Sequence, residues 1–369
     1  MPKRKNGEGT IYQRPDGLWR GELTIGYDDN GKRIKKVFHS KELDKLQKKL
    51  NDEKYKLDRN IIVQPSDYTV SEWVLFWLEN YKMNTLKSKT YDNYEYALNK
   101  HINGSIGNFK LNKVRTETIQ QLYNKMHKKN LSSSTIRIVH VTLSQAFDQA
   151  IKNEILHTNP CKATIRPKKE KKKVIAMTDQ QQDVFIKGCK GTTYHNFFVF
   201  LLNTGIRMGE ALSLTWNDID FEEGIISINK TASYIINRDD NSNTKWKTII
   251  DTAKTAHSIR AVPMNNTSKN ILIEQKKRAD QLVFTSQAGT MLMARNINRS
   301  LNDLLKSNDL PETISVHTLR HSFATRLLER GVNPKTVSDL LGHASVQITL
   351  DVYSHVMPQV KNDAVKLLD

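Results

Sequence analysis

The sequence predicts a multidomain, mainly α protein with small β elements: a three-stranded amino-terminal module, a helical middle and a mixed α+β carboxyl-terminal domain. Three observations carry that expectation. A chain of 369 residues exceeds one ordinary domain. Period-two patterning is confined to residues 10–38 and to a patch between 224 and 262. Apolar residues at helical spacing fill much of what remains.

The first module, residues 1–66, reads as three strands and a helix. Thr10 to Arg14 meets a turn at Pro15 to Gly17, Leu18 to Ile25 alternates, and the turn at Asp28 to Gly31 leads into Lys32 to Phe38. Ser40 suits the N-cap of a charged helix over about 41–58. Arg14, Arg20, Lys32, Arg33, Lys35 and Lys36 stud the sheet, which fits a DNA groove and equally a solvated basic face.

Residues 67–161 read as all-helical. Val70 to Leu78, Lys87 to Leu98, Thr116 to Tyr123 and Ser134 to Phe147 supply the helices, with Gly104 and Gly107 as punctuation. Trp73, Trp77, Tyr91 and Tyr94 fall at helical spacing and are expected in the core. Residues 162–173 hold seven basic residues, one acid and a proline, and form a linker. A basic strap across DNA, a solvated hinge and a nuclear-import tract all fit that composition.

Residues 174–369 return to helix around a β-rich patch. Gly224 to Asn229, Ala232 to Ile236, Trp246 to Ile250 and Ser258 to Val262 are expected to pair in one small antiparallel sheet. Toward the end, Gly331 and Gly342 suit helix C-caps, Asn333-Pro334 a helix start and Ser345 an N-cap.

Composition narrows the function. The balance of 57 Lys+Arg against 39 Asp+Glu gives a net charge of +18, which favours a polyanionic partner bound in a salt-sensitive way. Hydrophobic content of 38% with 26% charged residues excludes a disordered chain. The two cysteines, Cys161 and Cys189, make no zinc or disulfide framework, so a reducing cytoplasm is expected. The apolar run Phe197 to Leu202 falls far short of the roughly 18 residues of a membrane span. The basic amino terminus has no apolar stretch behind it, so no secretory signal is expected.

The chemistry concentrates in His317-Thr-Leu-Arg320-His321, Leu341-Gly-His343 and Tyr353. Arginine grips phosphate bidentately, histidine moves protons near neutral pH, and tyrosine attacks as a nucleophile. His317 and Arg320, three apart on a predicted helix, share a face. Asn203-Thr-Gly-Ile-Arg207-Met-Gly-Glu210 offers a second guanidinium: Gly205 permits a tight turn, Arg207 starts a helix, and Glu210 stands one turn on to orient it. In so basic a chain the natural phosphate is a DNA backbone, and the set suggests covalent strand cleavage.

Taken together these motifs resemble the tyrosine recombinases, the integrase family of site-specific DNA recombinases. Gly-Ile-Arg207-Met-Gly-Glu210 looks like the first arginine motif, His317 to His321 like the His-x-x-Arg box, and Leu341-Gly-His343 with Tyr353 like the third histidine and the nucleophile. The domain order is similar to integrases of temperate phages and of conjugative transposons in Gram-positive bacteria. The resemblance implies an arm-type DNA-binding module, a core-binding domain and a catalytic domain in the ranges given above.

It implies further that Tyr353 attacks the scissile phosphorus to give a 3′-phosphotyrosine, and that Arg207 and Arg320 bind the non-bridging oxygens. His317 would share the nucleophile's proton, and His343 would contact the phosphate or buttress the tyrosine. Lys254, ahead of the strand ending in Val262-Pro263, best matches the family's general acid, with Lys245 and Lys247 as alternatives nearby. Glu210 and His321 would be supporting residues. Energy is stored in the phosphotyrosine ester, so neither ATP nor a metal is implied. The implied partners are double-stranded DNA at core and arm-type sites, a homotetramer through a Holliday junction, an excisionase and a host DNA-bending protein, in the cytoplasm of a bacterial host. The tail from Val360 to Leu368 would dock on a neighbouring protomer.

Singly, each residue has a plainer reading. Arg207 is an ordinary surface ion-pair partner and Tyr353 a half-buried core residue. His317 and His321 have zinc-ligand spacing, but Thr318 stands where a metalloprotease motif needs glutamate. Three rivals share parts of the pattern: a chromosome-dimer resolvase, which normally lacks an arm-binding module, a non-catalytic DNA-binding regulator, which has no use for Tyr353, and a type IB topoisomerase, which relaxes DNA without strand exchange.

Overall fold

A computed structural model of the chain describes residues 9–27, 32–58, 68–168, 175–239, 242, 244–252, 258–277 and 281–353. The expected turn over 28–31, part of the linker, Lys254, and the tail beyond 353 with His355 lie outside them. The chain divides into two compact units, Met1–Glu170 and Lys171–Asp369.

In the first unit, β1 (Thr10–Gln13), β2 (Trp19–Tyr27) and β3 (Arg33–Ser40) form an antiparallel sheet in sequence order. Helix α1 (Leu43–Asp58) covers one face, and Leu23, Leu46 and Leu50 make a small buried core. Gly21 allows that packing, because a Cβ there would stand 2.6 Å from Leu50 Cδ1. Ser40 closes β3, and its hydroxyl accepts from the Glu42 amide before α1 begins. The basic face is partly neutralised: Glu22 pairs with Arg20 at 2.9 Å and with Lys35 at 3.2 Å.

The further α-helices described in this unit are α2 (Val70–Trp77), α3 (Ser88–Ala97), α4 (Thr116–Lys128) and α5 (Ser133–Lys152). Thr69 and Glu72 cap the start of α2 reciprocally, satisfying two otherwise orphaned amides. Both α2 and α3 run on into five-residue π turns, Leu78–Lys82 and Leu98–Ile102. Trp73, Trp77, Tyr91 and Tyr94 are all buried, as their spacing predicts. The indole of Trp73 donates to the Ala146 carbonyl at 2.8 Å, pinning α2 to α5.

The second unit carries α6 (Asp179–Cys189), α7 (His195–Thr204) and α8 (Met208–Leu212), then β4 (Ile219–Asp220), β5 (Ile225–Ile228), β6 (Lys230–Ile236), β7 (Trp246–Thr252) and β8 (Arg260–Pro263). Helices α9 (Asn266–Lys276), α10 (Ala294–Ser307), α11 (Val316–Glu329), α12 (Pro334–Leu341) and α13 (Val346–Tyr353) complete it. Every residue from Phe197 to Leu202 is buried, so α7 is apolar all round and forms the centre of the core. Burying each such phenylalanine contributes about 1.5–3 kcal/mol.

The β patch departs from the expected single sheet. β4, β5 and β8 form one sheet, while β6 and β7 pair only with each other from Lys230↔Thr252 to Ile236↔Trp246. The reason lies in the chain order. β8 returns to β5, pairing Ile225 with Pro263, so the intervening residues fold back on themselves as a hairpin. β7 is largely exposed, and Tyr234 stacks on Trp246 across the hairpin at 5.4 Å. Lys247 stands on this strand and Lys245 just before it, both exposed.

Gly342 ends α12 in the left-handed conformation at φ 64°, and Gly331 follows α11 at φ 78°. Asn333 caps α12 through the Lys335 amide. Among the described residues no helix is long and apolar enough to cross a membrane.

Candidate active site

Helix α7 ends at Gly205, which takes the left-handed φ of 65° and turns the chain into Ile206 and Arg207. Only glycine fits, since a Cβ would lie 2.4 Å from Cδ1 of Phe323 on α11. Arg207 then caps α8, its backbone amide donating to Glu210 at 2.9 Å and its guanidinium to the same carboxylate at 2.7 Å. Gly209 lets β6 close against α8, because a Cβ would meet the Ala232 carbonyl oxygen at 2.7 Å.

Helix α11 starts with a reciprocal cap between Ser315 and Thr318, which sets His317 and Arg320 in its first turns. Arg320 is buried, at 2% exposure, and its guanidinium donates to the carbonyl oxygens of Gly205 and Leu341. His317 and His321 face each other edge-on with ring centroids 4.6 Å apart. A cleft of about 280 Å³ is lined by Arg207, His317, Arg320, Ile206, Met208, Asn298, Ser315 and Val316.

The end of α12 joins the group. Arg207 donates to the Gly342 carbonyl at 3.2 Å, and His343, the next residue, holds the Thr349 hydroxyl of α13 at 2.8 Å through Nδ1. Tyr353 is the last residue of α13, four positions after Thr349. The position of its phenol lies outside what the structure describes, as does Lys254. The structure therefore brings Arg207, His317, Arg320 and His343 together, places the backbone of Tyr353 at the end of α13, and leaves its phenol and Lys254 undescribed.

Residues 164–359 match the phage integrase family, and residues 69–137 match the N-terminal SAM-like domain of phage integrases. A tyrosine recombinase XerC-like protein of Caldanaerobacter subterraneus subsp. tengcongensis is 31% identical over 95% of both chains. The chain belongs to the phage integrase family. It is an enzyme of the tyrosine-type site-specific recombinase class. The integrase of ICEBs1 from Bacillus subtilis is 26% identical, covering 98% of this chain and 99% of that one. Among solved structures, the Tn1549 transposon integrase in complex with transposon right-end DNA superposes with a TM-score of 0.68 at 24% identity, covering 82% of this chain and all of that one. A lambda integrase dimer bound to a core site gives 0.60 at 19% identity, covering 95% and 96%.

Electrostatics in this integrase follow from burial among cations. Burial, then Arg320 and Arg207, holds His317 below its ordinary value, so it is neutral at pH 7 and able to accept a proton. His343 is pushed down to about 4, by burial first and then by the same two arginines. Burial raises the Glu210 carboxyl, but Arg260 and Arg207 outweigh it, and the net shift is downward.

Arg260 is the residue that sequence patterning missed. It opens β8, donates to both Glu210 oxygens at 2.8 and 3.2 Å, and donates through Nε to the Leu340 carbonyl at 2.7 Å. In the sequence it reads as one polar residue in a strand. Nothing in the sequence near Glu210 points to it, since its partners lie 50 and 80 positions away.

Proposed function

We propose that the chain integrates and excises a mobile element, such as a prophage or conjugative transposon, by cutting and rejoining DNA through a 3′-phosphotyrosine at Tyr353. The single observation that supports it most is the convergence of Arg207, His317 and Arg320 on one cleft, with His343 tied to the helix that ends in Tyr353.

In this reading the tyrosyl oxygen attacks the scissile phosphorus as the bond from phosphorus to the 5′ oxygen breaks. Neutral His317 takes the phenol proton, and Lys254 supplies one to the departing 5′ oxygen. Arg207 and Arg320 hold the non-bridging oxygens as negative charge grows on them. His343 contacts the phosphate or buttresses the tyrosine, while Glu210 aims Arg207 and His321 packs behind His317. A free tyrosine has a pKa of about 10, so its activation relies on the paired guanidinium groups. Rejoining is the reverse: the 5′ hydroxyl of another strand attacks the phosphorus as Lys254 takes its proton, the bond from phosphorus to the tyrosyl oxygen breaks, and His317 returns a proton to the phenol.

Residues 1–66 are assigned to arm-type DNA, 67–161 to core sites, 162–173 to a basic linker and 174–369 to catalysis. The charge of +18 suits double-stranded DNA. Solved relatives are complexes with DNA, including a lambda integrase tetramer on a Holliday junction. A homotetramer on DNA is proposed on that basis, with the tail from Val360 to Leu368 docking between protomers. An excisionase and a host DNA-bending protein are the proposed accessory partners, and the bacterial cytoplasm the compartment.

A suicide substrate that traps the covalent intermediate tests the assignment. The wild-type protein should give a covalent protein–DNA band. Tyr353→Phe should give none while shifting the same DNA in a native gel. A covalent band from the phenylalanine variant refutes the nucleophile.

A further inference from the structure

Three consecutive carbonyl groups at the end of α12 each accept from a different arginine. Leu340 accepts from Arg260, Leu341 from Arg320 and Gly342 from Arg207. The last carbonyls of a helix have no partner within it and carry its negative pole, so guanidinium groups are the natural caps. Two of the three arginines line the cleft; Arg260 is not among the residues lining it.

Position relative to the cleft separates their tasks. The Arg207 side chain is 36% exposed and can meet a ligand, whereas those of Arg260 and Glu210 are each 6% exposed. Arg320 is as deeply buried, at 2% exposure, yet it lines the cleft, whereas Arg260 stands off the cleft with its nitrogens turned to protein partners. Its donors instead link three pieces of chain: the Glu210 carboxylate on α8, the Leu340 carbonyl on α12, and the segment just ahead of its own strand through the Ser258 carbonyl at 3.3 Å. Glu210 is also the anion that fixes Arg207, through one oxygen to the guanidinium and the other to the backbone amide.

Building on the phosphotyrosyl-transfer reading above, we propose that Arg260 is a positioning residue: it clamps Glu210 against the end of α12 and so holds Arg207 and His343 in register before DNA arrives. The clamp acts through Glu210 on one side and through the helix end carrying His343 on the other. Without it, a buried carboxylate keeps a single cationic partner and the α12 terminus loses a cap. The cleft would still bind DNA through the many remaining basic residues, but its phosphate clamp would be loosely held when the phosphoryl charge develops. A misplacement of about 1 Å can cost on the order of a hundredfold in rate.

The test uses full-length protein, single-turnover cleavage of the suicide substrate and a parallel DNA-affinity measurement. Arg260→Gln should slow covalent cleavage by about ten- to a hundredfold, with DNA affinity close to wild type. In a Glu210→Gln background the same change should slow cleavage much less, because the carboxylate it acts through is gone. Arg260→Lys keeps the charge but cannot serve both oxygens and the Leu340 carbonyl, so its rate should lie between the two. If the glutamine variant does not fold, the lysine variant decides by the same readouts. Wild-type cleavage in folded Arg260→Gln or in Arg260→Lys, or equal slowing with and without Glu210, overturns the inference. Absence of any covalent adduct from the wild-type chain sinks the phosphotyrosyl reading instead, so the two failures are distinguishable.

Discussion

The guanidinium of Arg320 donates to the carbonyl oxygen of Gly205 at 2.8 Å, joining two motifs that lie 115 positions apart in the chain. Its other terminal nitrogen reaches the Leu341 carbonyl, so one side chain ties the ends of α7 and α12 to α11. Arg320→Lys offers one nitrogen where two separated carbonyls need a donor. One buried carbonyl is then left unpaired, at about 1–3 kcal/mol. A urea denaturation midpoint well below wild type is expected, with covalent cleavage lost as well. An unchanged midpoint would show that these contacts do not hold the site together.

Gly205 is the hinge of the same junction. Its φ of 65° strains any other residue, and a Cβ would press on Phe323 at 2.4 Å. Gly205→Ala should destabilise the protein by about 1–3 kcal/mol and displace Arg207, lowering cleavage more than DNA affinity. Adding Phe323→Leu should recover part of the stability by opening space, while the cost of the backbone angle persists. Equal stability of the single and double variants would argue that strain alone, not the ring, sets the cost.

What the sequence disclosed and what it concealed divide along physical lines. The grouping of Arg207, His317, Arg320 and His343 was legible because the proposed chemistry calls for those residue types, and glycines at 205 and 342 mark the turns that present them. The buried aromatics of α2 and α3 were legible because 3.6-residue periodicity is a local property. The separation of the β6–β7 hairpin from the β4–β5–β8 sheet was not, since strand pairing is decided by partners far along the chain. Arg260 escaped for the same reason: its partners, Glu210 and Leu340, are 50 and 80 positions away.

The histidines of the site predict an acid-sensitive fold. His321 and His343 are both pushed down to about 4, by burial first in each case, followed for His321 by His317 and Arg320 and for His343 by Arg320 and Arg207. An unfolded histidine titrates near pH 6.5. Between about 6.5 and 4 the unfolded chain takes up protons that the folded chain refuses, so stability is fully present above that window and is lost as pH falls through it. His343→Gln removes one such group. Its denaturation midpoint should fall less than that of wild type between pH 7 and pH 5. Identical falls in the two proteins would rule out His343 as a contributor.

The general acid can be identified by changing the leaving group rather than the protein. In the proposed mechanism Lys254 protonates the 5′ oxygen as it departs, a task that vanishes when that oxygen is replaced by sulfur, because a thiolate leaves without a proton. Lys254→Ala should therefore cleave an ordinary suicide substrate on the order of a hundredfold or more slowly, yet cleave the 5′-thio substrate at close to the wild-type rate. Lys245→Ala and Lys247→Ala, which alter exposed positions at the base of β7, should treat the two substrates as wild type does. Rescue by sulfur in the Lys247 or Lys245 variant would move the acid to the hairpin. Such a result would also give the separately paired β6–β7 strands a direct part in catalysis.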